Sequence, residues 1–276
     1  MTESSFPELD LEDWRPTRDT LQGYCKVLGA IRRAASPRQR HWSHITLHTT
    51  ADGLTTTPIP AAESSFELRL NLTRHQLEIV ASSGEHYDLP LEGQSLARFC
   101  SETLAVLEGL DLLPEVDASA FANDAAGEWD RQSIDRFWRA WVQIDAVFKT
   151  FKGERRHETS PVQLFPHHLD LALSWYSGRL IPEQDPADEE WSDEQMTFGF
   201  TTGDTSIAEP YFYVTAYPQP EGFVGSDLPG EAYWHEEGFS GAVLLYSHLV
   251  ASARAQDLLA SFLRVAHAAG ASRMRP

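Results

Sequence analysis

The feature that most constrains this chain is a switch of hydrophobic period that occurs twice in the same order. Leu21, Tyr24, Cys25, Leu28 and Ile31 recur at three- and four-residue spacing, which predicts a helix from Asp19 to about Ser36. Pro37 then disfavours helical backbone in the residue before it. Alternating segments follow: His44 to Thr50, Leu54 to Pro60 after the Asp52-Gly53 turn signal, then stretches around 66–72, 77–81 and 86–91. A second helical stretch presents Leu96, Phe99, Cys100, Thr103, Leu104 and Leu107 on one face, with Ser95 placed to cap it. The order then returns. Phe137, Trp141, Ile144, Phe148 and Phe151 predict a helix from about Ser133. Strands are expected at 162–165, 169–176, 196–202, 211–217 and 241–247, and a last helix carries Leu258, Leu259, Phe262, Val265 and Ala266, capped by Ser252 and ended by Gly270.

The predicted class is therefore α+β: two similar helix–four-strand–helix halves, mostly antiparallel sheet with helices packed on it. The expected divisions are an irregular N-terminal arm over 1–17, a first half over 18–113, a linker or crossover over 114–132, and a second half over 133–276 with an acidic insertion at 183–195. An offset of 116 residues pairs Leu21 with Phe137, Leu28 with Ile144, and Arg40-His41 with Arg156-His157. That points to internal duplication, although two helix–strand units can also match partly by chance. One continuous sheet and two separate sheets both satisfy the pattern.

Composition narrows the partners. Hydrophobic residues at 42% provide for a core, and the formal net charge is −19. Lys and Arg are absent from 180–253, a stretch holding 14 acidic residues. So negative a chain repels nucleic acid and anionic lipid, so neither is an expected partner. No apolar run approaches the ~20 residues that span a bilayer, and the acidic start lacks a signal-peptide pattern. The expectation is a soluble, cytoplasmic protein, with Cys25 and Cys100 as buried thiols rather than a disulfide. No oligomeric state follows from the pattern.

Candidate chemistry gathers in three places. On a strand, His44, Thr46 and His48 share a face, with His41 just before them. Imidazoles four residues apart on a strand lie about 13 Å apart, too far for one metal ion without a bend, so no metal and no cofactor is expected. His168 and Asp170 share a face opposite Leu169 and Leu171, which suggests a general base, a turn bond or an Arg pair. Tyr211, Tyr213 and Tyr217 put phenols on one strand face, with Trp175, Tyr176 and Trp234 expected nearby in the fold, a pattern suited to a ligand pocket or to a half-exposed sheet. Basic residues follow the first helix of each half: Arg32, Arg33, Arg38 and Arg40, then Lys149, Lys152, Arg155 and Arg156. They suit the helix dipole, or an anion site common to both halves. A Gly-rich phosphate loop, a nucleophile elbow, HExxH and paired CxxC are absent from the sequence.

The stretches DTLQGYCKVLGAIRRAASPRQRHWSHITLHTTADGLTTTPIP, RFWRAWVQIDAVFKTFKG, SPVQLFPHHLDLALSWYSGR and TAYPQPEGF resemble a bacterial family of uncharacterised proteins known as a domain of unknown function. The resemblance runs from about Trp14 to Ala269. It implies that His41, His44, Asp170, Ser177, Gly178 and Arg179 belong to the family pattern. The chain departs from it at Gln163, where a His is common, and at Pro166, His167, His168 and Leu169, where an aromatic-Gly-Ser-Phe run is usual. The resemblance brings no activity with it.

The leading expectation is a binding module that holds a small ligand or protein segment against the polar sheet face through His44, His48, Asp170, Trp175, Arg179, Tyr213 and Tyr217. The alternatives are a hydrolase using Asp170 with His44, His48 or His168, and an acidic chaperone-like or scaffold protein.

Overall fold

The computed structural model describes residues 6–188 and 190–274. Residues 1–5 of the predicted arm, Glu189 of the predicted acidic insertion and the last two residues of the second half lie outside the described residues. The fold is α+β, with two antiparallel sheets rather than one. The chain divides into two compact units, one made of Glu12–Trp138 and Leu164–Leu169, the other of Met1–Leu11, Arg139–Gln163 and Asp170–Pro276.

In the first unit the long helix α1 (Leu11–Ala35) leads into a 3-10 segment (Arg40–Ile45). Six strands follow: β1 (His48–Thr49), β2 (Gly53–Thr55), β3 (Ile59–Ala61), β4 (Ser64–Asn71), β5 (Gln76–Ala81) and β6 (His86–Pro90). The sheet order is β1-β2-β4-β5-β6, with β3 also on β4. Phe66, Leu68 and Leu70 stand opposite Ala81, Ile79 and Leu77, and all six are buried. This is the period-two pattern realised as one core face. Helix α2 (Leu96–Gly109) starts where expected: the Ser95 hydroxyl accepts from the Arg98 N–H and answers one orphan donor of the first turn. Tyr24 of α1 stacks on Phe99 of α2 at 4.0 Å between ring centroids. Cys25 and Cys100 are buried free thiols, and burial pushes both above the usual thiol range.

Helix α3 (Arg131–Gly153) begins two residues before Ser133. The second unit carries β8 (Asp170–Leu180), β9 (Asp193–Thr201), β10 (Tyr211–Tyr217), β11 (Tyr233–His235) and β12 (Gly241–Leu245), preceded in sequence by β7 (Gln163–Phe165). β8 to β12 lie in the order β11-β12-β10-β9-β8. Leu171, Phe200, Phe212 and Leu244 form one cross-strand row, and Leu173, Phe198, Val214 and Ala242 the next. Their face packs against α5 (Ala255–Ala271), which buries Leu259, Phe262, Leu263 and Ala266, and against Trp141 and Phe151 of α3. Each such side chain contributes about 1.5–3 kcal/mol of burial.

Several expectations are corrected. The arm over 1–17 is not wholly irregular: α1 starts at Leu11 despite Pro16 within it, because Leu11, Trp14 and Thr17 extend the buried stripe of the helix. Each sheet has more than four strands. The extra ones, β3 and β11 among them, are too short to show a period. His44 and His48 do not share a strand, since His41 and Trp42 take left-handed backbone (φ 53° and 56°) and turn the chain through a 3-10 segment. Ser252 does not cap the last helix. It closes the short α4 (Tyr246–Ala251), and α5 starts after Arg254 without a side-chain cap. Gly270 does not end α5 but lies inside it, packed against Met196.

On the face of β8–β10 away from the core, Tyr213 lies over Gly199, its cross-strand partner. A Cβ at Gly199 would stand 2.1 Å from the Tyr213 ring. Gly199→Ala is therefore expected to push the ring aside and to cost about 1–3 kcal/mol, the usual toll of overpacking. Urea unfolding of G199A reads this directly, and a midpoint equal to the parent's would show that the close approach carries no weight.

Candidate functional site

The expected site residues fall in different places. His44 is buried at the end of the 3-10 segment, its Nδ1 3.2 Å from the Gln39 carbonyl oxygen and its ring 5.7 Å from Trp42. His48 is half-buried on β1, opposite Thr55. His168 is exposed just before β8. These three belong to the first unit, whereas Asp170, Trp175, Arg179, Tyr213 and Tyr217 belong to the second.

Within the second unit, Asp170 and Tyr213 meet: the phenol donates to Asp170 Oδ2 at 2.7 Å. Burial, and then the adjacent carboxylate, push the Tyr213 phenol well above its usual range, so it stays a donor at every physiological pH. Tyr211 makes a parallel bond to Asp204 Oδ2 at 2.7 Å. The other candidates are not gathered there. Trp175 points to the core side of β8, the opposite parity from Asp170. Arg179 is nine residues along the strand, roughly 30 Å away at the strand rise, and its guanidinium forks Glu194 at 2.6 and 3.0 Å. Tyr217 packs edge-on to Trp191 at 4.6 Å. Among the described residues no group of three or more His, Cys, Asp or Glu is arranged to hold a metal ion.

A cavity of metabolite size lies in the first unit. It has a volume of about 520 Å3, within the usual range for small-molecule sites. One wall is α1, where Lys26, Gly29, Ala30, Arg33 and Ala34 line it at helical spacing. Ile45, Pro166 and His167 line it beside Gly29, and Glu115, Val116, Asp117, Ala120 and Phe121 complete the lining. Helix and Pro166 approach closely because residue 29 is glycine: a Cβ there would stand 2.8 Å from Pro166 Cγ. The amide of Gln22 donates to the His167 carbonyl at 2.5 Å and fixes that part of the lining.

Lys26 and Arg33 stand on the helix wall, and among the described residues neither forms an ion pair. Glu115 and Asp117 line the same cavity. His167 has its pKa lowered below the ordinary 6.5, first by desolvation, then by the nearby charges of His168, Lys26 and Arg33. Its imidazole is therefore neutral at pH 7 and can accept or donate one hydrogen bond. Arg33 also lies over the Trp42 ring, Cζ 5.5 Å from the centroid, and Arg38 is at 5.8 Å. The strained 40–45 segment thus holds an aromatic plate beside the cationic wall.

That segment is anchored from below. Arg32, buried, donates to the Thr46 carbonyl, and Thr46 Oγ1 donates to the Ser43 carbonyl at 2.9 Å. Burial pushes the Arg32 pKa down to about 10, which leaves it charged at neutral pH.

A family model described as a family of unknown function, DUF5996, matches residues 6–275. The chain belongs to this family. No curated protein and no solved structure matches the chain. Because the DUF5996 match takes in both compact units, the cavity and its strained rim are both within the family's extent.

The sequence signal for this cavity was partial. Arg33 stands in the basic cluster after the first helix and His167 in the His-His pair. Lys26, Glu115, Asp117 and Phe121 carry no motif, and what joins them is tertiary. An NMR titration of His167 is expected to give a midpoint below 6.5, moving up toward that value in Lys26→Ala and at raised ionic strength, where charges on this rim are screened. A midpoint that ignores both changes would show that the cationic wall does not reach the imidazole.

Proposed function

We propose that this protein is a small-molecule binding module whose ligand occupies the α1 cavity. The observation that carries the reading is a pair of cations, Lys26 and Arg33, without ion-pair partners among the described residues, standing over small and apolar residues in a chain of net charge −19. Such a wall suits a carboxylate or phosphate head. Ala30, Ala34, Ile45 and Phe121 suit a short apolar body, and Glu115 with Asp117 suit an ammonium or hydroxyl. The ligand class is thus a zwitterionic or anionic amphiphile of metabolite size. The neutral His167 adds a hydrogen bond that selects orientation.

The surrounding negative charge supports a cytoplasmic protein that takes small molecules rather than nucleic acid or lipid surfaces as partners. No helix among the described residues is long and apolar enough to cross a membrane. A hydrolase built on Asp170 would need His44, His48 or His168 within hydrogen-bond reach of its carboxylate. The partner observed on Asp170 Oδ2 is the Tyr213 phenol, a donor that favours a fixed acceptor over a mobile base.

A thermal-shift panel of zwitterionic and anionic amphiphiles, followed by calorimetry on the hits, tests the reading. Lys26→Glu with Arg33→Glu is expected to weaken binding by at least about tenfold, equivalent to ~1.4 kcal/mol. Ala30→Trp should do the same by filling the cavity while leaving both cations in place. Hits that bind both variants as tightly as the parent, or a panel without a saturable binder, would sink the idea.

A further inference from the structure

Arg155, Arg156 and His157 follow Glu154 just past the end of α3. With Glu154, Trp175 and His267 they line a cavity of about 380 Å3, wholly within the second unit. Trp175 and His267 form its floor, 1% and 8% exposed, with their rings edge to face and centroids 5.0 Å apart.

Arg155 is held from three sides. Its Cζ lies 4.5 Å over the Phe151 ring, one terminal nitrogen donates to His267 Nδ1 at 2.9 Å, and the other donates to Glu154 Oε2 at 2.9 Å. A guanidinium has no acceptor, so Nδ1 must be the accepting nitrogen and His267 is neutral with its proton on Nε2. The Nε of Arg155 is buried and has no hydrogen-bond acceptor among the described residues. Glu154 does not cancel this charge alone, because Arg264 forks the same carboxylate at 2.5 to 3.1 Å. Arg156 is exposed and forms no ion pair among the described residues. Two guanidinium groups, those of Arg155 and Arg264, therefore share one carboxylate, and Arg156 lines the cavity beside them.

Basic residues after a helix are commonly explained by its dipole. That account would have the Arg155 fork on the last carbonyls of α3. It is instead on an imidazole and a carboxylate, and resting a cation on a neutral ring costs desolvation without cancelling charge. The positive field is left in the cavity.

We propose that this cavity is an anion site for the phosphoryl group of a small phosphomonoester. A carboxylate offers two oxygens and one charge. A phosphomonoester offers three oxygens and about −1.5 to −2 charges at pH 7, which better matches the donors of Arg155 and Arg156 with the His157 ring beside them. The volume leaves room for an organic body beyond the phosphoryl group. The site shares no residue with the α1 cavity and stands or falls separately from it.

The test follows the His157 and His267 ring signals by NMR in the whole chain at low salt, with phenyl phosphate, inorganic phosphate and benzoate as probes. Phenyl phosphate is expected to shift both rings saturably, inorganic phosphate to do so more weakly, and benzoate to bind at least about tenfold more weakly than phenyl phosphate. Arg156→Glu, at an exposed position, should cut the phenyl phosphate affinity about tenfold or more with the thermal midpoint unchanged. The double variant Lys26→Ala/Arg33→Ala should leave the shifts intact. Shifts that do not saturate, benzoate as tight as phenyl phosphate, undiminished binding by R156E, or loss of the shifts in the Lys26/Arg33 variant would each overturn the assignment.

Discussion

Side-chain alternation across β8, β9 and β10 is the constraint on which the second unit depends. Leu171, Phe200 and Phe212 face one way because their neighbours Ala172, Gly199 and Tyr213 face the other. A slip of one residue in β10 would put Phe212 or Val214 where Tyr213 now meets Asp170 and a phenol into the packing beneath α5, and a slip in β8 would put a leucine in place of Asp170 and the carboxylate into that packing. Register is therefore fixed by burial on one face and by a hydrogen bond on the other. The same parity sends Trp175 inward, where it meets His267, so the floor of the second unit's cavity is a direct product of strand register rather than of loop shape.

In the first unit the corresponding tie is the buried Arg32. Left-handed backbone at His41 and Trp42 costs about 1–3 kcal/mol at each residue. Stacking of Arg33 and Arg38 on Trp42 returns roughly 0.5–1 kcal/mol apiece at a part-exposed site. That alone does not hold the turn. A hydrogen bond from a charged group is worth about 1.5–3 kcal/mol, and Arg32 makes one to the Thr46 carbonyl just past the strained pair. The tightness of the turn thus rests more on the buried arginine than on the exposed ones. The exposed Arg33 is in turn left to line the cavity.

Much of this architecture was legible, and the misses have physical causes. Runs such as Phe66-Leu68-Leu70 read correctly as strand because burial on one face imposes a period of two, and Ser95 read correctly as a cap because its hydroxyl has one local task. HWSHITLH read as strand because its Ile and Leu alternate. Nothing in the residue types of His41 and Trp42 announces left-handed backbone, which is usually the province of glycine and asparagine. The pairing of Asp170 with Tyr213 joined two residues singled out separately. The gap between them is bridged by Gly199, whose missing side chain is a packing requirement rather than a turn signal. The α1 cavity draws on 26–34, 115–121 and 166–167, and the middle segment read as linker because its order comes from what it packs against.

If both proposed sites hold, a chain of net charge −19 that places cations around two cavities would distinguish anions by size. At physiological ionic strength the field of a surface charge fades over about 8 Å. A polyanion or anionic membrane touches a wide surface and meets the summed repulsion of its carboxylates. On the proposed reading, a metabolite-sized anion that has entered a cavity would feel mainly the walls within that distance, where it can lie against Lys26 and Arg33, or Arg155 and Arg156. Negative charge elsewhere would then leave local affinity nearly intact while slowing the approach of large competitors. On that reading the concentration of acidic residues between 180 and 253, free of any lysine or arginine, would serve that exclusion without needing a binding role of its own.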